Sequence, residues 1–133
     1  MESNNPSLVD LKSMNILIVD DEAANVRLLE TLLGVSEYKN LVSTQDPRDV
    51  IELCTSRGID LVLLDINMPY MDGYEVMEQL KTLGAEKPVV LVLSAQSDRD
   101  YRHQALDSLA LDFVVKPFDT HELLSRIRNL LEV

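Results

Sequence analysis

One stretch constrains this chain more than any other. Asp60 to Gly73 reads D-L-V-L-L-D-I-N-M-P-Y-M-D-G. Leu61, Val62, Leu63 and Leu64 are continuously apolar, as suits a strand buried on both faces of a parallel sheet. Periodicity alone does not separate such a run from a buried helix; its shortness and the breakers behind it favour the strand. Asp65 closes the run, which puts its carboxylate at the C-terminal edge of the strand, where open α/β sheets hold ligands. Met68-Pro69 and Asp72-Gly73 then turn the chain, because proline fixes its own φ and glycine tolerates positive φ.

Composition narrows what surrounds this strand. A length of 133 residues allows one domain with a sizeable core and leaves little room for a second. The chain is 46% apolar and 26% charged, as soluble globular proteins are. Acids outnumber bases 23 to 12, for a formal charge of -11. That excess argues against a nucleic-acid or anionic-membrane surface, which needs cations to neutralise phosphates. It leaves room for a cationic partner or a bound metal. The lone Cys54 has no internal disulfide partner, which fits a reducing compartment. No membrane-length apolar run and no secretory leader stand in the sequence, so the expected location is the cytoplasm.

Met1 to Ser13 is polar and aperiodic and reads as a flexible leader, with the domain running from Met14 to Val133. Asn15 to Val19 is the first strand, ending in Asp20-Asp21-Glu22. A helix follows with Val26, Leu29, Leu32 and Leu33 on one face and Gly34 near its end. The helix dipole accounts for Glu22 and one aspartate; it does not demand two aspartates at the mouth of an apolar strand. Leu41 to Thr44 is a short strand. Asp46-Pro47-Arg48-Asp49 starts a second helix that carries Val50, Ile51, Leu53 and Cys54 and stops at Gly58. Cys54 reads as a core residue rather than a nucleophile.

After the central strand, Tyr74 to Leu83 is a helix that turns Val76, Met77 and Leu80 inward. Met68, Met71 and Met77 read as packing residues. Val89 to Leu93 is the fourth strand, ending at Ser94-Ala95. Ser97-Asp98 caps a fourth helix, Arg99 to Leu109. Asp112 to Val115 is the fifth strand, followed at once by Lys116-Pro117-Phe118. Asp119 and Glu122 form a capping box for a fifth helix with Leu123, Leu124, Ile127 and Leu130 at helical spacing. His103 and His121 have no partners at metal-ligand spacing and read as surface residues.

Five alternations of strand and helix describe a parallel sheet covered by helices on both faces. Such a sheet collects the C-terminal ends of its strands at one edge. Asp20, Asp21, Asp65, Ser94 and Lys116 therefore converge there. Clustered carboxylates repel unless a cation is present, and oxygen-only ligands suit Mg²⁺. A carboxylate beside Mg²⁺ and a lysine is a competent nucleophile toward a phosphoryl group. The product would be an acyl phosphate on Asp65.

These residues resemble a two-component response-regulator receiver (CheY-like) domain over roughly Met14 to Val133. The resemblance rests on Asp20-Asp21, on Asp65-Ile66-Asn67-Met68-Pro69 with Asp72-Gly73, on Ser94-Ala95 and on Lys116-Pro117-Phe118. It implies a flavodoxin-like α/β fold with five helices and strand order 2-1-3-4-5. It implies that Asp65 is the phospho-acceptor, charged by a sensor histidine kinase or a histidine phosphotransfer protein. Asp20, Asp21, Asp65 and the Asn67 backbone carbonyl would hold Mg²⁺. Ser94 and Lys116 would engage the phosphoryl group, with Ser94 and Phe113 as the coupled switch and Ala95 leaving access to Asp65. Asn67 and Gln96 take positions that tune phosphoryl lifetime in the family. The switched surface would comprise the fourth helix, fifth strand and fifth helix, acting on an output domain, a downstream protein or a second copy. Such a domain catalyses only its own phosphorylation and dephosphorylation.

Two departures touch that output face. Leu109-Ala110 stands where the family usually has Gly-Ala, and Phe113 lacks the hydroxyl of the commoner tyrosine.

Three other classes fit parts of the pattern. An aspartyl-phosphate phosphatase or hydrolase would carry D-x-D after its first strand and usually a cap domain. A flavodoxin-like nucleotide binder would need a glycine-rich phosphate loop, and the four glycines here are scattered. A receiver fold used only for binding would not need every acidic and phosphoryl-contacting position filled. The run from Asp20 to Leu33 also looks somewhat like receivers joined to cyclic-di-GMP-handling domains.

Overall fold

A computed structural model describes residues 11–66, 68–95, 112–117 and 119–132, the side chains of Ser94 and Ala95 excepted. Its strands are β1 (Asn15–Val19), β2 (Asn40–Thr44), β3 (Leu61–Asp65), β4 (Val89–Ala95) and β5 (Asp112–Lys116). They form one sheet in the order β2-β1-β3-β4-β5, and every pair is parallel. The described α-helices are α1 (Ala23–Val35), α2 (Val50–Arg57), α3 (Gly73–Leu80) and α4 (Thr120–Leu131). The expected helix from Arg99 to Leu109 and the Leu109-Ala110 departure lie outside the described residues, so α4 is the fifth helix of the sequence reading.

The alternation of side chains along each strand sorts the core into two layers. Ile16, Ile18, Leu61, Leu63, Leu91, Leu93 and Val114 pack with Leu29 and Leu33 of α1 and with Leu123 and Ile127 of α4. Leu17, Val19, Val62, Leu64, Val90 and Val92 pack with Val50 and Cys54 of α2 and with Val76, Met77 and Leu80 of α3. β3 is buried at all five positions, as its unbroken apolar run requires. Burial pushes the Cys54 thiol up to about 11, in keeping with a core residue.

Several local features depart from expectation. Leu11, placed in the leader, is 2% exposed within the α1/α4 layer. Lys12 lies over the Tyr38 ring at 4.0 Å and donates to the Ser36 carbonyl, tying this segment to the loop after α1. Gly34 stands near the end of α1, as expected, but is not its left-handed cap. The helix runs through it, and Glu37 takes the left-handed conformation at φ 72. The Tyr38 amide donates to Leu33 O and the Glu37 amide to Gly34 O, the pairing of a Schellman cap, with buried Tyr38 as its hydrophobic closure.

α3 is shorter than the reading of Tyr74 to Leu83. It stops at Leu80, and Lys81–Glu86 continues as 3-10 turns. Asp72 is not merely a turn residue: it caps α3 in a reciprocal box with Glu75. At α4 only half of the expected box forms, Asp119 accepting from the Glu122 amide.

Candidate functional site

The described site residues stand at the C-terminal ends of β1, β3 and β5. Asp20 follows β1 directly, and its amide donates to Thr44 O at the end of β2. Asp65 is the last residue of β3 and pairs in register with Leu93. Lys116 ends β5 opposite Ala95. Asp20 continues the Ile16–Ile18 alternation, Asp65 the Leu61–Leu63 alternation, and Lys116 follows Val114 by two. All three therefore extend the face of the sheet that α1 and α4 cover. Here a period of two places charges that lie far apart in sequence on one side of one edge.

The geometry bears this out for the described members. The Lys116 ammonium donates to Asp20 Oδ2 and to Asp65 Oδ1, both at 3.2 Å. Carboxylate oxygens of Asp20, Asp21 and Asp65 all lie within 4.8 Å of one another. Asp20 is fully buried and Asp65 is 6% exposed. Asp20 Oδ1 also accepts from the Glu22 amide at 3.0 Å, which fixes the turn into α1. Ser94 is placed by its backbone, in register with Val115 one step before the Ala95–Lys116 pair. Asn67, Gln96 and the Ser94 side chain lie outside the described positions. Phe113 is half-buried against the α2/α3 layer. His121 is exposed on α4, and His103 lies outside the described residues.

Electrostatics at this edge are in conflict. Burial raises the Asp65 carboxyl to about 6; Lys116 pulls it back, while Asp20 and Asp21 add repulsion. Burial opposes the Lys116 charge too, but the Asp65 and Asp20 carboxylates outweigh that and hold the ammonium above the ordinary lysine value. One ammonium does not balance three carboxylates. The donor set is all oxygen, tightly grouped and short of positive charge, which fits a hard divalent cation such as Mg²⁺.

The walls follow from packing. Gly73 opens α3 under Asp65: a Cβ built there would stand 3.0 Å from the Asp65 carbonyl oxygen and from Ile66 Cα. Its amide donates to Ile66 O at 2.9 Å and closes the loop. Tolerance of positive φ is the turn rule's reason for a glycine here, and Gly73 does not use it. Its actual role is close approach, and the left-handed residue of the loop is Tyr70 at φ 70. On the α1/α4 side a cavity of about 360 Å³ borders the site, lined by Asn25, Leu28, Leu32, Lys116, Pro117 and Thr120.

Comparison with known proteins agrees with this arrangement. A family model described as the response regulator receiver domain matches residues 16–128. The chain belongs to the response regulator receiver family. It is 39% identical over 122 residues to an uncharacterized transcriptional regulatory protein, YbdJ, of Bacillus subtilis, covering 92% of this chain and 52% of that protein. It is 41% identical over 120 residues to the response regulator PleD of Caulobacter vibrioides, covering 89% of this chain and 26% of that one. The chain thus spans about half the length, or less, of these curated relatives. Among solved structures, a response regulator signal receiver domain from Bermanella marisrubri superposes with a TM-score of 0.82 at 31% identity, over 90% of this chain and 98% of that one. Among the described residues no helix is long and apolar enough to cross a membrane.

Proposed function

We propose that this chain is the phospho-acceptor of a two-component pathway, and that Asp65 takes a phosphoryl group from a phosphohistidine on a sensor kinase or a phosphotransfer protein. The observation that carries this is the Lys116 ammonium bridging Asp20 and Asp65 at 3.2 Å, with Asp21 in the same group of carboxylates. A carboxylate oxygen of Asp65 attacks phosphorus. The P–N bond breaks, and its electron pair stays on the imidazole nitrogen of the donor. The acceptor is already ionised at neutral pH, since its carboxyl titrates at about 6. Lys116 lies at hydrogen-bond distance from the attacking group, where it would meet the charge of the transferred phosphoryl oxygens.

Asp20, Asp21, Asp65 and the Asn67 carbonyl are the residues that would hold Mg²⁺. When bound, the metal supplies the positive charge that the acid cluster and the phosphoryl oxygens lack. Ser94 would hydrogen-bond the phosphoryl group, and its movement would be coupled to Phe113 and to the surface of the expected fourth helix, β5 and α4. That surface would act on an output domain or a partner protein. One curated relative, RpfG of Xanthomonas campestris, is named as a cyclic di-GMP phosphodiesterase response regulator. By itself the chain would turn over only its own acyl phosphate.

Intact mass after incubation with acetyl phosphate tests this. One Mg²⁺-dependent phosphoryl adduct on the wild type, absent from Asp65→Asn, is expected. If folded wild type takes no label and releases no inorganic phosphate, the proposal fails and a binding-only receiver fold is left. Turnover of small phosphate esters would instead mark a hydrolase.

A further inference from the structure

Among the described residues of the loop between Asp65 and α3, Tyr70 is the strained one, and the chemistry above does not use it. Its backbone sits at φ 70, and the Met71 amide donates back to Pro69 O at 2.8 Å. That i-to-i+2 bond around a left-handed residue is a γ-turn of the rare, strained kind. Glycine would take this φ without strain, yet a bulky aromatic occupies it. Nor does core burial hold the ring in place, because Tyr70 is 75% exposed. Strain that the core does not enforce points to a local function.

The ring does have one partner. The Arg48 guanidinium lies over it, 4.1 Å from the centroid. Arg48 is itself held: Nε and Nη2 donate to the Asp46 carboxylate at 3.0 and 2.8 Å. Asp46 is anchored in turn, its amide donating to Thr44 Oγ1 at the end of β2. A continuous chain of contacts therefore runs from the end of β2 to the loop after β3.

Topology makes this chain of contacts significant. The sheet order places β1 between β2 and β3. A contact between the loops that follow β2 and β3 must pass across the C-terminal end of β1, and that is where Asp20 and Asp21 stand. Both loops lead to helices of the α2/α3 layer. The Arg48–Tyr70 stack is thus a strap between the two loops that flank the C-terminal end of β1, on the side opposite the cavity beside Lys116.

We infer that the Arg48–Tyr70 strap is a positioning element of the cation site, holding the described part of the loop between Asp65 and α3 against the loop after β2, so that Asp65 meets the cation pre-arranged beside Asp20 and Asp21. This rests on the reading of the acid cluster as a Mg²⁺ site. Neither residue ligates the metal. Their role is to fix the loop that joins Asp65 to α3.

The test is Mg²⁺ affinity, read from the Mg²⁺ dependence of thermal stability and by calorimetry, beside urea unfolding in EDTA. Tyr70→Phe keeps the ring and should bind as the wild type does. Tyr70→Gly loses the stack and relieves the backbone, so Kd should rise roughly three- to tenfold, near the lower end for outer-shell changes, while the urea midpoint holds or rises. Arg48→Gln leaves Asp46 unneutralised, which by itself draws Mg²⁺ in; weaker binding in spite of that charge marks lost positioning. The double variant should be no weaker than Tyr70→Gly alone, because both changes break one contact. Equal Kd in wild type and Tyr70→Gly overturns the inference and leaves the metal site standing. A loss of affinity that only tracks a fall in the urea midpoint also overturns it. A wild type that binds no Mg²⁺ overturns the site, and the strap's role with it.

Discussion

Asp65 is held against its own charge, and neutralising it should stabilise the metal-free fold. Its carboxyl is displaced from 3.8 to about 6 by burial, which outweighs the pull of Lys116, while Asp20 and Asp21 add repulsion. A displacement of roughly two pH units is ~3 kcal/mol of preference for the neutral form. The side chain is 9% exposed, so most of this survives; screening at the solvent-facing rim brings the expectation to about 1.5–3 kcal/mol. Asp65→Asn removes the charge with little change in volume. In EDTA at pH 7.5 its urea unfolding free energy should exceed that of the wild type by that amount.

The pH dependence carries the sign. The folded-state value lies above the unfolded one, so between about pH 4 and 6 the unfolded state ionises Asp65 while the folded state still holds the proton. The unfolded state then binds fewer protons, and wild-type stability from this group falls as pH rises through that window. The gap between wild type and Asp65→Asn should be nearly closed at pH 4 and fully open above pH 6. At the proposed site Mg²⁺ would bind the folded chain and not the unfolded one, so it should stabilise the wild type more than the variant. A variant no more stable than the wild type at pH 7.5 in EDTA, or a gap independent of pH, refutes the reasoning.

Two further changes probe the same edge. Lys116→Met leaves the buried Asp20 and Asp65 without their ammonium and should cost about 3 kcal/mol in EDTA at pH 7.5, as broken buried pairs do. Urea unfolding should show part of that recovered by Mg²⁺; a loss below roughly 0.5 kcal/mol, the level of an exposed pair, would contradict the geometry. Gly73→Ala forces a methyl to within 3.0 Å of backbone on the acceptor strand. It should destabilise by about 1–3 kcal/mol, as overpacking does, and slow acetyl-phosphate labelling; wild-type values for both would remove the close-approach role.

The sheet and much of the site were readable from sequence for the same reason. Asp20 and Asp65 break apolar runs at positions where the alternation would otherwise continue inward. A carboxylate there conflicts with the local pattern, and such conflicts mark sites. Lys116 was readable because β5 is short and the next residue is proline. The parity that brings all three to one face is a consequence of strand geometry, and the ion pairs confirm it for the described side chains.

What sequence reading missed depends on contacts between distant segments. Nothing in M-P-Y-M-D-G marks Tyr70 as left-handed, because aromatic residues avoid that region; the conformation accompanies Arg48, which lies 22 positions earlier in the chain. Glu37 is similar: its left-handed cap goes with a buried Tyr38 and a Lys12 drawn from the supposed leader. In both places the φ > 0 position lies three residues from a glycine. Gly73 serves a different need, backbone approach beneath Asp65. This makes the two loop residues separable by experiment. Alanine at 73 presses on the Asp65 backbone directly, whereas glycine at 70 leaves that backbone untouched and releases only the strap. If both changes weakened Mg²⁺ binding while only the first lowered stability, the fold and the site would be shown to draw on different residues of one short loop.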